Sequence, residues 1–251
     1  MNEIKKILTI VKNRLPEVVL ITGLYTLFAL AVSLSGLENP EQTDRNSTLL
    51  IIFAAMAVTL TMFLHFGFLR TICVDQDRPA TPIELIKTGS RFFLRLFAFE
   101  LIISSIFALF ALLILSVFTG SHDVEAQQKS APILAALAFA IPTIVLIKPA
   151  LLIRAIVLVD DCRLSDAFYA MRNFKLSDRK ALILLYCLPI IITIALSFIE
   201  TRLSGTIAKH ALIAIAACLT EFFFLITFTA AVRFIAESKV GTAQTETISE
   251  D

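Results

Sequence analysis

Apolar positions in this chain run in long blocks rather than at the two-residue period of a half-buried strand. Six blocks built mostly of Leu, Ile, Val, Ala and Phe lie at about 17–38, 49–70, 96–119, 131–153, 182–199 and 210–234. Each is long enough to cross the hydrocarbon core of a bilayer as a helix. A spanning segment must satisfy its own backbone hydrogen bonds, so helices are expected, and the alternation that marks a membrane barrel is missing. The expected class is therefore all-α, a polytopic protein with six transmembrane helices in one membrane domain over residues 1–236.

Two segments break this pattern. In residues 1–15, Ile4, Ile7, Leu8, Val11 and Leu15 recur at helical spacing, with Lys5, Lys6, Lys12 and Arg14 elsewhere around the helix. An interfacial helix fits, its apolar face in the headgroup boundary and its basic residues on anionic lipid; a simple topogenic charge cluster is the alternative. Pro16 then suits the first turn of a new helix. Residues 237–251, "ESKVGTAQTETISED", are polar, acidic and aperiodic, and read as a disordered cytoplasmic tail.

Composition reinforces the bilayer reading: 57% of residues are hydrophobic, 21 are Phe, and the mean hydropathy is +0.84. The formal charge of +1 conceals an asymmetry. Four basic residues precede the first block, and five lie between 70 and 95. Seven lie between 148 and 180, and Arg233 and Lys239 follow the last block, so 18 of 22 fall on one side of a six-span arrangement. The positive-inside bias puts both termini in the cytoplasm. A cleavable signal peptide fits poorly, because the first apolar block is too long and no A-x-A-like site follows it. Cys73, Cys162, Cys187 and Cys218 form no CxxC pair, so neither disulfide nor metal is indicated.

The two large basic connections resemble each other. Aligning Arg70 with Arg154 also aligns Ile72 with Ile156, Asp77 with Asp161, Thr81 with Ser165, Arg91 with Lys175 and Arg95 with Arg179. In each, a span ends at Arg, an acidic turn follows, and Thr81 or Ser165 opens a short surface helix: "TPIELIKTGSRF" or "SDAFYAMRNF". The second helix would bury Ala167, Phe168 and Met171 and display Arg172. A parallel repeat of a helical hairpin accounts for this, and so do shared topological demands.

Residues 140–174, "AIPTIVLIKPALLIRAIVLVDDCRLSDAFYAMRNF", and more loosely 68–96, "FLRTICVDQDRPATPIELIKTGSRFFLRL", resemble the YciC-like uncharacterised family of six-span bacterial inner-membrane proteins. That family is similar in turn to the membrane domain fused to some glycerophosphoryl diester phosphodiesterases. Pro142, Pro149, Asp160, Asp161, Ser165 and Ala167 carry the likeness; Thr143 and Asn173 depart from it, standing where Gly and Ser are usual. The resemblance implies architecture and location in the bacterial inner membrane, not an activity. The phosphodiesterase activity is not expected here, since six spans leave no room for a hydrolase domain.

Ionisable residues within the spans are the candidate chemistry, because each costs roughly 2.5–3.5 kcal/mol at the bilayer centre. With Arg70, Arg95 and Arg154 as markers of the cytoplasmic interface, a rise of about 1.5 Å per residue puts His65 and Glu100 about 7.5 Å deeper and Lys148 about 9 Å deeper. A Glu100–Lys148 pair near His65 is one expectation; Lys148 snorkelling to the headgroups is the other. Glu221, midway between Lys209 and Arg233, sits near the bilayer centre without a basic residue at its depth. It reads either as part of a proton or cation route or as a lone neutral acid. Arg70, Arg95, Arg154 and Arg172 are candidate lipid-headgroup contacts. Pro142 and Pro189 are expected to kink the fourth and fifth spans.

No P-loop, nucleophile elbow, HExxH, Rossmann fingerprint or catalytic carboxylate pair is present. The expected role is non-enzymatic, without cofactor or metal, in envelope maintenance or as an accessory to a membrane complex. Its partners would be the bilayer, anionic headgroups and an unidentified membrane protein; nucleic acid is not expected, because topology and anionic lipid explain the basic face. The second expectation is a small transporter or channel using Glu221 and the His65/Glu100/Lys148 level.

Overall fold

The computed structural model describes residues 2–34, 47–75, 78–118, 141–142, 145–174, 180–200 and 206–248. All regular elements among them are helices. In chain order they are α1 (Asn2–Asn13), α2 (Leu15–Leu34), α3 (Ser47–Val74), α4 (Pro82–Phe118), α5 (145–160), α6 (Leu164–Met171), α7 (Lys180–Glu200) and α8 (Thr206–Ile248). Four stretches are long and apolar enough to cross a membrane: Leu15–Leu34, Ile52–Val74, Pro82–Phe110 and Ile207–Ser238. The protein is thus a helical membrane-embedded one. Most of the expected span 131–153 lies outside the described residues, as does Asp77.

Several expectations need correction. "TPIELIKTGSRF" is not a separate surface helix but the opening of the 37-residue α4. Its apolar face, Leu85, Phe92, Leu96 and Phe99, is fully buried in the core and continues the helical period into the span, so nothing interrupts the helix. Thr81 does open it: the Thr81 N–H donates to Glu84 Oε2 at 2.8 Å, and the Glu84 N–H to Thr81 Oγ1 at 3.3 Å. This capping box, with Pro82 at the first helical position, satisfies two otherwise orphan donors. Ser165 does not act in the same way. Arg163 holds the N-cap position of α6, with no side-chain cap. Within α6 Ala167 is buried, whereas Phe168 is 40% exposed and reaches the Phe99 ring at 6.3 Å. The tail, expected to be disordered, continues α8 as helix to Ile248, since propagating an existing helix needs no new nucleus.

One end of the bundle gathers the connections. Arg14, in the turn between α1 and α2, is 1% exposed and was expected at the lipid surface. Instead its guanidinium donates to Thr71 Oγ1 at 2.7 Å, to the Asp75 carbonyl at 3.0 Å and to the Arg78 carbonyl. Glu17 accepts the Ala80 N–H at 2.6 Å. The α1 face splits accordingly: Ile7, Ile10 and Val11 pack into the protein, while Ile4 and Leu8 stay exposed. Phe174, after α6, meets Phe234 of α8 at 6.0 Å. At the opposite end, Ser33 Oγ and His210 Nδ1 lie 2.8 Å apart, tying the end of α2 to the start of α8.

Pro189 sits inside α7 and cannot donate to the Leu185 carbonyl one turn earlier. Thr227 Oγ1 of α8 lies 2.9 Å from that carbonyl. It also lies 2.7 Å from the Phe223 carbonyl of its own helix.

Helices α3 and α4 cross in close contact at Gly67 and Gly89. A methyl group on Gly67 would collide with the Leu85 backbone, and one on Gly89 with the Phe63 carbonyl. Gly89→Ala separates two effects. Helix propensity alone favours Ala by about 1 kcal/mol, whereas overpacking typically costs about 1–3 kcal/mol. The thermal midpoint of purified Gly89→Ala should fall below wild type; a rise would show that the helices are not in contact there.

Candidate functional site

His65, Glu100, Arg154 and Glu221, from four different helices, converge on one cleft of about 590 Å³. The helices that contribute several residues, α2, α3, α4 and α8, do so from positions about one turn apart, and hence from one face. Thr61 and His65 come from α3, and Phe97, Glu100, Leu101 and Ser104 from α4. From α8 come Glu221, Phe224 and Phe228; Tyr25 and Phe28 come from α2, Arg154 from α5 and Tyr186 from α7. Such a volume suits a small-molecule site.

Two ion pairs organise the lining. His65 Nδ1 lies 3.0 Å from Glu221 Oε1, with side-chain exposures of 14% and 9%. Glu221 is therefore not the lone acid expected. The partner missing along α8 itself is supplied across the bundle by α3.

Arg154 Nη2 donates to Glu100 Oε2. The Arg154 guanidinium also sits 4.4 Å from the Phe228 ring centroid, a cation–π distance. The expected Glu100–Lys148 pair is thus replaced by Glu100–Arg154. Lys148 and Arg154 are six residues apart, so they project about 120° from each other around α5. Arg154 faces the cleft, and Lys148 is not part of its lining. The structure brings His65, Glu100 and Glu221 together and substitutes Arg154 for Lys148. Tyr25, Ser104 and Tyr186, which sequence reading missed, share the same helical faces.

The arginines expected at the headgroups are largely engaged by the protein. Arg70 donates to the Leu158 carbonyl and, at 3.0 Å, to the Val159 carbonyl, two acceptors left open where α5 ends. Arg95 donates to the Cys162 carbonyl at 2.9 Å and to Asp161 Oδ1 at 2.7 Å, while Arg91 pairs with the other carboxylate oxygen. Asp161 has φ of 52°, the left-handed conformation that terminates helices and that Asp tolerates better than most residues. Arg172 is exposed, with its guanidinium 5.5 Å from the Tyr169 ring.

The hydrogen bond from Arg95, with the nearby charges of Arg91, Arg95 and Arg70, holds the Asp161 carboxyl below its ordinary value of 3.8. A depressed carboxylate contributes stability above its unfolded-state value, and loses it as pH falls through the folded one. Asp161→Asn keeps a residue suited to the left-handed backbone and removes only the charge. Its thermal midpoint should lie a few degrees below wild type at neutral pH, and the gap should close below about pH 3.8.

Breaking one side of a buried ion pair costs roughly 3–5 kcal/mol, less where water reaches it, because the remaining charge is stranded. Arg154→Met should therefore lower the thermal midpoint more than the Arg154→Met, Glu100→Gln double variant does. Additive losses in the double variant would mean that the two side chains do not interact.

Among the described residues, no three of His, Cys, Asp and Glu converge to hold a metal ion. No family model matches the chain, and no curated protein or solved structure is significantly similar to it.

Proposed function

We propose that this chain is a small, non-enzymatic transporter of the bacterial inner membrane, with six spans and both termini in the cytoplasm. We extend the proposal to membership of the YciC-like family, on the residues 140–174 that resemble it. The cleft carries the transport reading. It holds a His–Glu pair between α3 and α8 and an Arg–Glu pair between α5 and α4 around a space large enough for a solute. Ionisable residues facing a cavity inside a membrane domain mark solute and proton pathways. An accessory or envelope-maintenance role accommodates the pairs as ties between helices but gives the cleft they line no task. The proposed topology rests on the positive-inside distribution and on the gathering of Arg14, Asp75, Ala80, the turn at 161–163 and Phe234 at one end.

In this reading the His65–Glu221 pair takes up and releases a proton as the cleft fills and empties. Arg154, held by Glu100 and Phe228, fixes the electrostatics around it. Proteoliposomes loaded with a pH-sensitive dye test this. Lipophilic cations, alkali cations, organic anions and neutral solutes are added in turn across an imposed pH gradient. At least one class should dissipate the gradient faster than in empty vesicles, and Glu221→Gln should reduce that flux at least tenfold. Flux matching empty vesicles across the whole panel would overturn transport.

A further inference from the structure

The charges lining the cleft do not cancel without a proton. Glu100 of α4 and Glu221 of α8 supply two negative charges, Arg154 of α5 supplies one positive, and the phenols of Tyr25 (α2) and Tyr186 (α7) are uncharged. Among the described residues of the lining, His65 of α3 is the remaining ionisable group. With His65 and Arg154 each beside a carboxylate, the cleft carries a formal charge of −1 when the His65–Glu221 pair is unprotonated, and zero when it holds one proton. An apolar surround disfavours a net charge strongly, so the unprotonated cleft calls for one further positive charge, from a proton or from an occupant.

From this balance we infer that the occupant is a lipophilic monovalent cation, taken up in exchange for one proton. Resting on the transport reading, this names its substrate class. The exchange conserves charge: the proton on His65–Glu221 leaves to water, the cation takes its place, and the cleft stays neutral. An anion would instead raise the negative charge to −2 once the proton left. The rest of the lining suits a cation with an apolar body. Phe97, Phe224, Phe228, Tyr25 and Tyr186 present aromatic rings to the cleft, and aromatic faces attract cations through their quadrupole. Phe228 already does so with Arg154, at 4.4 Å.

Tetraphenylphosphonium is the probe, with tetraphenylborate as its anionic counterpart of similar shape. Wild-type protein in detergent and weak buffer is titrated with each, while bound probe and released protons are measured. Saturable binding of the cation should release about one proton per cation. Its affinity should rise about tenfold per pH unit while the proton competes, the slope expected of one-for-one linkage. Glu221→Gln should weaken binding at least tenfold and abolish proton release. Glu221→Asp, which retains the acid, should keep both, and covers the case in which the Gln variant does not fold.

Absence of phosphonium binding, binding without proton release, or equal binding of the borate would each overturn the inference. The two proposals fail separately. Glu221-dependent flux of an anion or a neutral solute in the liposomes leaves transport standing and removes the cation. Proton-releasing phosphonium binding without flux supports the cation site and removes transport.

Discussion

A backbone carbonyl at a helix end or in a connection has no partner within a helix, and at the loop-bearing end of this bundle arginines supply the donors. Arg14 bonds the carbonyls of Asp75 and Arg78, Arg70 those of Leu158 and Val159, and Arg95 that of Cys162. Each guanidinium belongs to a different part of the chain from the carbonyls it serves. The bonds therefore set the axial register of α3 and α4 against α5. His65 lies five residues below Arg70, Glu100 five below Arg95, and Arg154 four before Leu158. Fixing the ends brings these three side chains to one level, which is why they share a cleft.

The same low-dielectric setting that makes an unpaired charge costly makes the two pairs in the cleft strong and directional. Glu100 alone would disfavour insertion of α4, and Glu221 alone that of α8. Arg154 is stabilised from two sides, by a carboxylate and by an aromatic face. The polar level of the bundle is thus a set of mutually dependent residues rather than four separate substitutions into apolar helices.

The helical membrane class was legible in the chain because apolar blocks of bilayer length admit few other structures. His65, Glu100 and Glu221 were legible as well, since ionisable residues stand out against Leu and Phe. Their partners were not. Depth counted along a helix gives the height of Lys148 and Arg154 but not the direction each faces, and direction assigns Glu100 to Arg154. Counting along α8 likewise could not reveal that His65 of α3 reaches Glu221. The inward role of Arg14 was hidden for a related reason: a basic residue beside an amphipathic helix has the same local sequence whether lipid or a neighbouring loop receives it. The capping box at Thr81 and Glu84 was readable because all its atoms lie within one turn.

The hydroxyl of Thr227 has one hydrogen and two carbonyls within reach, that of Leu185 across the α7–α8 seam and that of Phe223 on its own helix. The cross-helix contact thus serves the Leu185 carbonyl that Pro189 leaves open, so the proline costs α7 no unpaired acceptor. Tyr186, the next residue along α7, belongs to the cleft wall. The carbonyl that the proline frees therefore pins the wall of the cleft to α8.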